Sequence, residues 1–325
     1  SWNEKNTGTD LVLVTVVDPV TPATLYAGTM NGVVKSVDGG ETWVDKNEGL
    51  TGASVHSLAV DPVDPAILYV GAAVSMYRST NNGVDWSLIT PEGLTVFTTI
   101  VIDPVTPQTL YAGAIHEVYK STDRGENWTA LDAGLAEESV VVLAIDPSTP
   151  ATLYLGTEDS GVFKSLDGGE TWRESNAGHS NGRIRALVMD PVSPDTLYAG
   201  TDGGGVFKST DGGSSWREIY IGLANDEVNA LVIDPVAPST LYAGTDGGGV
   251  FKSTDGGGAW SAFNTNLSDT DVLALAIDPA TPTTLYTGTR YDGVFKSANS
   301  GEVWSAVNNG LTVTSIQALA IDPAT

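Results

Sequence analysis

The chain has no cysteine, three methionines and three histidines in 325 residues. Without thiols there is no disulfide, no thiolate metal site and no cysteine nucleophile. Basic residues are scarce as well: 15 Lys and Arg stand against 40 Asp and Glu, a net charge of −25. A surface so acidic repels nucleic acid and anionic membranes, so neither is an expected partner. No apolar run reaches the roughly 20 residues of a membrane span, and Ser1-Trp2 does not open a signal peptide. A secreted chain relieved of its signal begins in the same way, and an extracellular or periplasmic location is the expectation. No stretch sustains a 3.6-residue apolar period, so no helix is predicted. His56, His116 and His179 fall in three different repeats with no ligand spacing, so neither a metal nor a cofactor is expected.

What the chain has instead is period. Asp-Pro recurs at Asp18, Asp61, Asp103, Asp146, Asp190, Asp234, Asp278 and Asp322, at intervals of 42 to 44 residues. That is the length of a four-stranded propeller blade, and a ring of repeats overrides the two-domain prior that length alone suggests. No Pro/Ser linker or charge run interrupts the series. Each period parses into four short strands. The first, as in Val228 to Ile233, is almost wholly apolar, which fits a strand buried on both faces. The second carries Leu-Tyr-x-Gly in all seven complete repeats, and its Gly implies close backbone approach. The third ends in a basic residue: Lys35, Arg78, Lys120, Lys164, Lys208, Lys252 and Lys296. One such residue per repeat reads as a solvated or locally paired side chain, not a binding ring. The fourth strand opens on Trp and turns polar, as an outermost strand should.

Between the third and fourth strands lies Ser209-x-Asp211-x-Gly213-x-x-Trp216, and the same spacing returns at Ser36/Trp43, Ser79/Trp86, Ser121/Trp128, Ser165/Trp172, Ser253/Trp260 and Ser297/Trp304. Asp or Asn accepts hydrogen bonds from following backbone N–H groups, Gly allows a left-handed turn, and Trp anchors the hairpin by its buried area. The motif resembles the Asp-box, or BNR, repeat of sialidases, sortilin-type receptors, two-propeller xyloglucanases and photosystem II assembly factors. The resemblance covers essentially the whole chain. It implies an all-β fold, a seven-bladed β-propeller of four-stranded antiparallel blades with Asp-box turns. The domain expectation is a single propeller over residues 1–325, with a surplus outer strand at 1–7 and a surplus inner strand at 315–322. Trp2-x-x-x-Asn6 repeats the outer-strand pattern of Trp304-x-x-x-Asn308, so the termini are expected to complete a blade or to mediate self-association.

The resemblance is less informative about chemistry. Sialidases hold a carboxylate with three arginines, whereas only seven arginines exist here and four lie in or beside the boxes or at the repeat lysine position. Xyloglucanase-type enzymes use two carboxylates in a cleft between two propellers, which one ring cannot form. The assembly factors match in size and blade count, but their partner-binding arginine patch has no evident counterpart.

Candidate site residues come from the face loops, where copies sharing one template diverge. Repeats five and six keep a bland Thr-Asp-Gly-Gly-Gly. The third repeat has Ile115-His116-Glu117 instead, the seventh Arg290-Tyr291-Asp292, and the outer loop after the fourth box Gly178-His179-Ser180-Asn181-Gly182-Arg183. At the second position of the inner strand stand Leu13, His56, Thr98, Val141, Arg185, Asn229, Leu273 and Gln317. The candidate binding residues are therefore His56, His116, Glu117, His179, Arg183, Arg185, Arg290 and Tyr291, and no catalytic residue is assigned. The arginines form a local exception to a charge of −25, so an anionic group is expected there. The first functional reading is a non-enzymatic binding or assembly scaffold, bacterial and exported, with a protein or glycan partner. A glycoside hydrolase or lectin-like module and a structural element of a larger surface array are the alternatives.

Overall fold

The structure is a computed structural model that describes residues 11–51, 54–90, 96–132, 134–135, 138–179, 182–308 and 314–321. It is all-β, with seven four-stranded antiparallel sheets and no helix among the described residues. These are the seven expected blades of a β-propeller: blade 1 (12–45), blade 2 (55–88), blade 3 (97–131), blade 4 (140–174), blade 5 (184–218), blade 6 (228–262) and blade 7 (272–306). Within each sheet the strands lie in sequence order from inside to outside. The chain divides into two compact units. Of the described residues, one comprises those within 11–157 with 163–173 and holds blades 1 to 3 and most of blade 4. The other comprises those within 158–162 and 174–321 and holds blades 5 to 7.

Blade 6 shows why the repeat folds as it does. Its inner strand Val228–Ile233 pairs with Leu241–Thr245, that strand pairs with Gly249–Ser253, and the outer strand is only Ser261–Ala262. Such short, exposed outer strands offer little edge for unwanted pairing. A bulge between Val228 and Ala230 leaves Asn229 outside the ladder. The same irregularity frees Arg185 in blade 5 and His56 in blade 2. A bulge re-aims its extra residue, which is how the second position of each inner strand escapes the repeat's packing.

The Leu-Tyr-x-Gly glycine is a contact point between consecutive blades. A Cβ on Gly244 would lie 2.3 Å from Val272 Cγ1, and one on Gly113 would lie 2.6 Å from Val140 Cγ1. The core accordingly sits between neighbours: Tyr198, Val206 and Ile219 of blade 5 cluster with Val228, Leu241, Phe251 and Trp260 of blade 6.

Each box is a closed hydrogen-bond set. Ser209 Oγ donates to Asp211 Oδ1 at 2.8 Å and accepts from Gly213 N at 2.8 Å. Ser215 N and Oγ donate to the two Asp211 carboxylate oxygens at 2.9 and 2.6 Å. These bonds, those from Ser215 first, hold the Asp211 carboxyl down to about 2. The turn then couples to the preceding blade through its left-handed residue. The Ser300 carbonyl (φ 58°) accepts Tyr242 Oη at 3.4 Å and Lys252 Nζ at 3.3 Å, while that ammonium also stands over the Tyr242 ring. The Asn82, Arg124, Gly168 and Gly256 carbonyls play the same part for Lys35, Arg78, Lys120 and Lys208. The one basic residue per repeat is thus the locally paired kind, an interblade strap.

The strap is reinforced by four of the box tryptophans. Trp216 Nε1 donates to Ser175 O at 2.6 Å and its backbone N to Ala177 O at 2.7 Å; Trp86, Trp260 and Trp304 grip Lys46, Ile219 and Phe263 in the same way. The expected surplus outer strand at 1–7 lies outside the described residues. The described part of the expected inner strand, 315–321, forms no strand. It nonetheless follows the inner-strand position, with Ile316 N bonded to Thr289 O at 2.9 Å.

Candidate recognition face on blades 5 to 7

The inner-strand bulges and the loops between second and third strands bring several candidate residues together in one unit. Arg185, freed by its bulge, donates to Asp202 Oδ2 and to Asn229 Oδ1, each at 2.5 Å. Asn229 occupies the equivalent bulge of blade 6 and passes the chain on, donating to Val272 O at 2.9 Å. Arg290 lies 2.9 Å from Asp246 Oδ2 and 3.5 Å from Asp271 Oδ2. Partial burial, then the neighbouring Asp246 charge and a hydrogen bond shared with it, push the Asp271 carboxyl upward, and Arg290 only partly opposes this. Arg183 pairs with Glu158 at 3.4 Å, both side chains half exposed. Each candidate arginine therefore already carries a carboxylate.

Tyr291 departs most clearly from the template. Its backbone N is anchored to Asp269 Oδ2 at 2.7 Å, whereas its side chain is 63% exposed. Tyr220, where blades 1, 4, 6 and 7 have Asn, is 55% exposed as well, beside the exposed Ile221. The Asn it replaces is structural: Asn264 Oδ1 accepts Val250 N at 2.8 Å and its Nδ2 reaches Gly248 O at 2.9 Å.

His179 is placed differently from the rim position read from sequence. It is 7% exposed, with its ring 4.1 Å from that of Phe207 and 6.2 Å from that of Trp216. It stands three residues after Asn176, as the buried Leu267 stands after Asn264, and fills an apolar position. His56, His116 and Glu117 belong to the other unit. His56 is exposed at its bulge. His116 is exposed in a left-handed conformation (φ 70°), with its N bonded to Glu138 O at 2.9 Å. Glu117 accepts a hydrogen bond from Tyr119, whose hydroxyl is pushed up to about 12 by burial and by that carboxylate.

The sequence reading passed over Asp202, Asp246, Asp271 and Glu158, which neutralise the arginines. Asp202 and Asp246 belong to the very Thr-Asp-Gly-Gly-Gly loops taken as bland. Opposite charge at a matching loop position in a neighbouring repeat was the available signal. Chemically the face offers charge and an exposed aromatic. Among the described residues no group of three His, Cys, Asp or Glu side chains could hold a metal ion.

The family profile described as photosynthesis system II assembly factor YCF48 matches residues 1–265. The chain belongs to the YCF48 family. No curated protein matches it by sequence. Among solved structures, a YCF48 bound to a D1 peptide is 17% identical with a TM-score of 0.66, and the match covers 88% of this chain and 96% of that one. YCF48 from Cyanidioschyzon merolae is 17% identical with a TM-score of 0.64, covering 92% of this chain and 98% of that one. The GH74 enzyme of Niastella koreensis is 18% identical with a TM-score of 0.65 over 93% of this chain. The chain spans 59% of the length of that enzyme. At these identities the structures share the propeller fold, and the family assignment rests on the YCF48 profile.

Proposed function

We propose that this YCF48-family chain is a non-enzymatic scaffold that binds a protein partner through the loop face of blades 5 to 7. The observation that carries the reading is Tyr291, an exposed aromatic fixed by its backbone beside the Arg290–Asp246–Asp271 group, in a loop that reads Asp-Gly-Gly in blades 5 and 6. Tyr and Arg are enriched where surfaces recognise proteins. A YCF48 structure holding a D1 peptide gives the reading a precedent in the family.

The paired arginines revise the expected partner chemistry. An anionic ligand would have to displace Asp202, Asp246 or Asp271 from its arginine, and would then leave carboxylates facing carboxylates. A cationic segment meets no such cost, and its Lys or Arg can stack on Tyr291 or pair with the acids. The test is a pull-down with the purified chain and with its Tyr291→Ala and Arg290→Ser variants at two salt concentrations. A partner lost or weakened at least tenfold by Tyr291→Ala, with the melting curve unchanged, supports the reading. A partner held equally by the wild type and both variants places recognition elsewhere.

A further inference from the structure

In blades 1, 4, 6 and 7 the residue four places after the box Trp is Asn, and its carboxamide clasps the third strand. The Oδ1 atoms of Asn47, Asn176, Asn264 and Asn308 accept Val33, Val162, Val250 and Val294 N–H at 2.7 to 2.8 Å. The Nδ2 atom donates to the carbonyl two residues before that valine, Ser160 O at 2.7 Å in blade 4 and Gly248 O at 2.9 Å in blade 6. In blade 2 Thr90 Oγ1 takes the corresponding Met76 N–H at 3.0 Å, and blade 3 carries Asp132 at this place.

Blade 5 keeps the backbone of the clasp and replaces its amide by Tyr220. Val206 O accepts Ile219 N at 2.9 Å, so the Val206 N–H, which points to the same side of the strand, faces the outer strand where Asn stands in the other blades. Val206 is fully buried, and among the described residues no side chain accepts its N–H or donates to Gly204 O. Buried backbone donors are rarely left so in folded proteins. The room for an amide is there as well. A Cβ on Gly249 would lie 2.4 Å from Asn264 Oδ1 and one on Gly161 2.5 Å from Asn176 Oδ1, whereas on Gly205 the nearest atoms are Tyr220 Cβ and Leu223 Cδ2, both at 3.6 Å.

We infer that the slot beside Tyr220 binds the carboxamide of an Asn or Gln side chain on a partner polypeptide, in the place that Asn264 fills in blade 6. The slot asks for one acceptor and one donor side by side on the same edge of a planar group, which a primary amide supplies. A carboxylate has only acceptors and sets one against Gly204 O, while an ammonium or guanidinium has no acceptor for Val206 N–H. A trans main-chain amide points its oxygen and its hydrogen in opposite directions, so it cannot bridge the pair. The source is a polypeptide because Tyr220 and Ile221, 55% and 69% exposed at the mouth of the slot, form an apolar shoulder that a small free amide leaves uncovered. The site lies on blade 5 and does not depend on the role given to Tyr291.

The test follows the Val206 and Val250 amide resonances of the isotope-labelled chain during titration with the capped peptide Ac-Phe-Asn-Phe-NHMe, with its Asn→Leu counterpart of nearly the same shape, and with acetamide. The Asn peptide should move the Val206 resonance saturably and leave Val250 in place, and both other probes should bind about tenfold more weakly or worse. In Tyr220→Asn the chain's own carboxamide takes the slot, so the response at Val206 should vanish and the melting temperature should rise. Tyr291→Ala should leave the response unchanged. A Val206 amide indifferent to the Asn peptide, equal binding of the Asn and Leu peptides, or binding that survives Tyr220→Asn overturns the inference. Acetamide bound as tightly as the peptide overturns the polypeptide source, and a Tyr220→Asn chain of lower stability shows that the Asn clasp does not fit blade 5 and overturns the site.

Discussion

Replacing Trp216 by Ala, compared with the same change at Trp43, tests the joint as an energetic unit. Trp216 is 4% exposed, and its indole N–H is bonded to Ser175 O at 2.6 Å. Removing a buried Trp side chain costs about 3–5 kcal/mol, and the carbonyl left without its donor adds about 1 kcal/mol where water cannot replace it. Trp43 makes the same box but is half-buried, and among the described residues its indole N–H is bonded to its own Gly40. Its loss should cost about half as much or less. For a chain of this size about 2 °C accompanies each kcal/mol, so Trp216→Ala should lower the main transition by about 8–12 °C and Trp43→Ala by about 4–6 °C or less. Differential scanning calorimetry of both variants gives the comparison, with loss in the Trp216 variant concentrated in the transition that contains blades 5 to 7. Equal shifts would mean that the box tryptophans act only within their own hairpins, and the interblade strap would have no energetic reality.

Three further outcomes follow from the geometry. Because the Asp211 carboxyl is held at about 2 in the folded chain, against about 3.9 when unfolded, its contribution is present above about pH 4 and is lost as pH falls toward 2. Asp211→Asn, which copies the natural Asn81 and Asn299 boxes, should therefore flatten the fall in melting temperature between pH 4 and 2 while changing little at pH 7. Asn264→Ala removes the acceptor for Val250 N and the donor to Gly248 O, and should lower stability by about 1–3 kcal/mol in denaturant titration. Gly178→Ala places a Cβ 2.2 Å from Trp216 O at a φ of 83° and should cost well over 2 kcal/mol, whereas Gly39→Ala, equally left-handed but facing open space, should cost about 1–2 kcal/mol.

The period, the four strands and the box were legible because each rests on local chemistry: apolar runs, turn residues and a recurrent Trp. The bulge at Arg185 and Asn229 was not, because an almost wholly apolar strand has no alternation for one extra residue to interrupt. Whether Lys252 is solvated or locally paired was left open because the carbonyl it serves comes from Ser300, in the next repeat, and a backbone acceptor leaves no residue signature. His179 invited a functional reading as a rare polar residue in a divergent loop, yet it sits in a slot that Leu267 fills in another blade. The arginines were visible as exceptions. Their neutralisation by Asp202, Asp246 and Asp271 was hidden, because those acids look like part of an ordinary glycine turn.

The strap joins a side chain on one blade to a main-chain carbonyl on the next, and this asymmetry bears on how the fold tolerates mutation. Any residue that accepts a left-handed conformation can present the carbonyl, as Asn82, Arg124, Gly168, Gly256 and Ser300 do. Half of each joint is therefore nearly blind to the genetic code, and only the Tyr and the basic residue can be lost to a single base change. The loops on the opposite face take no part in it. A lineage can rewrite those loops residue by residue, as at Tyr291, while the frame that holds them in place stays indifferent to the change.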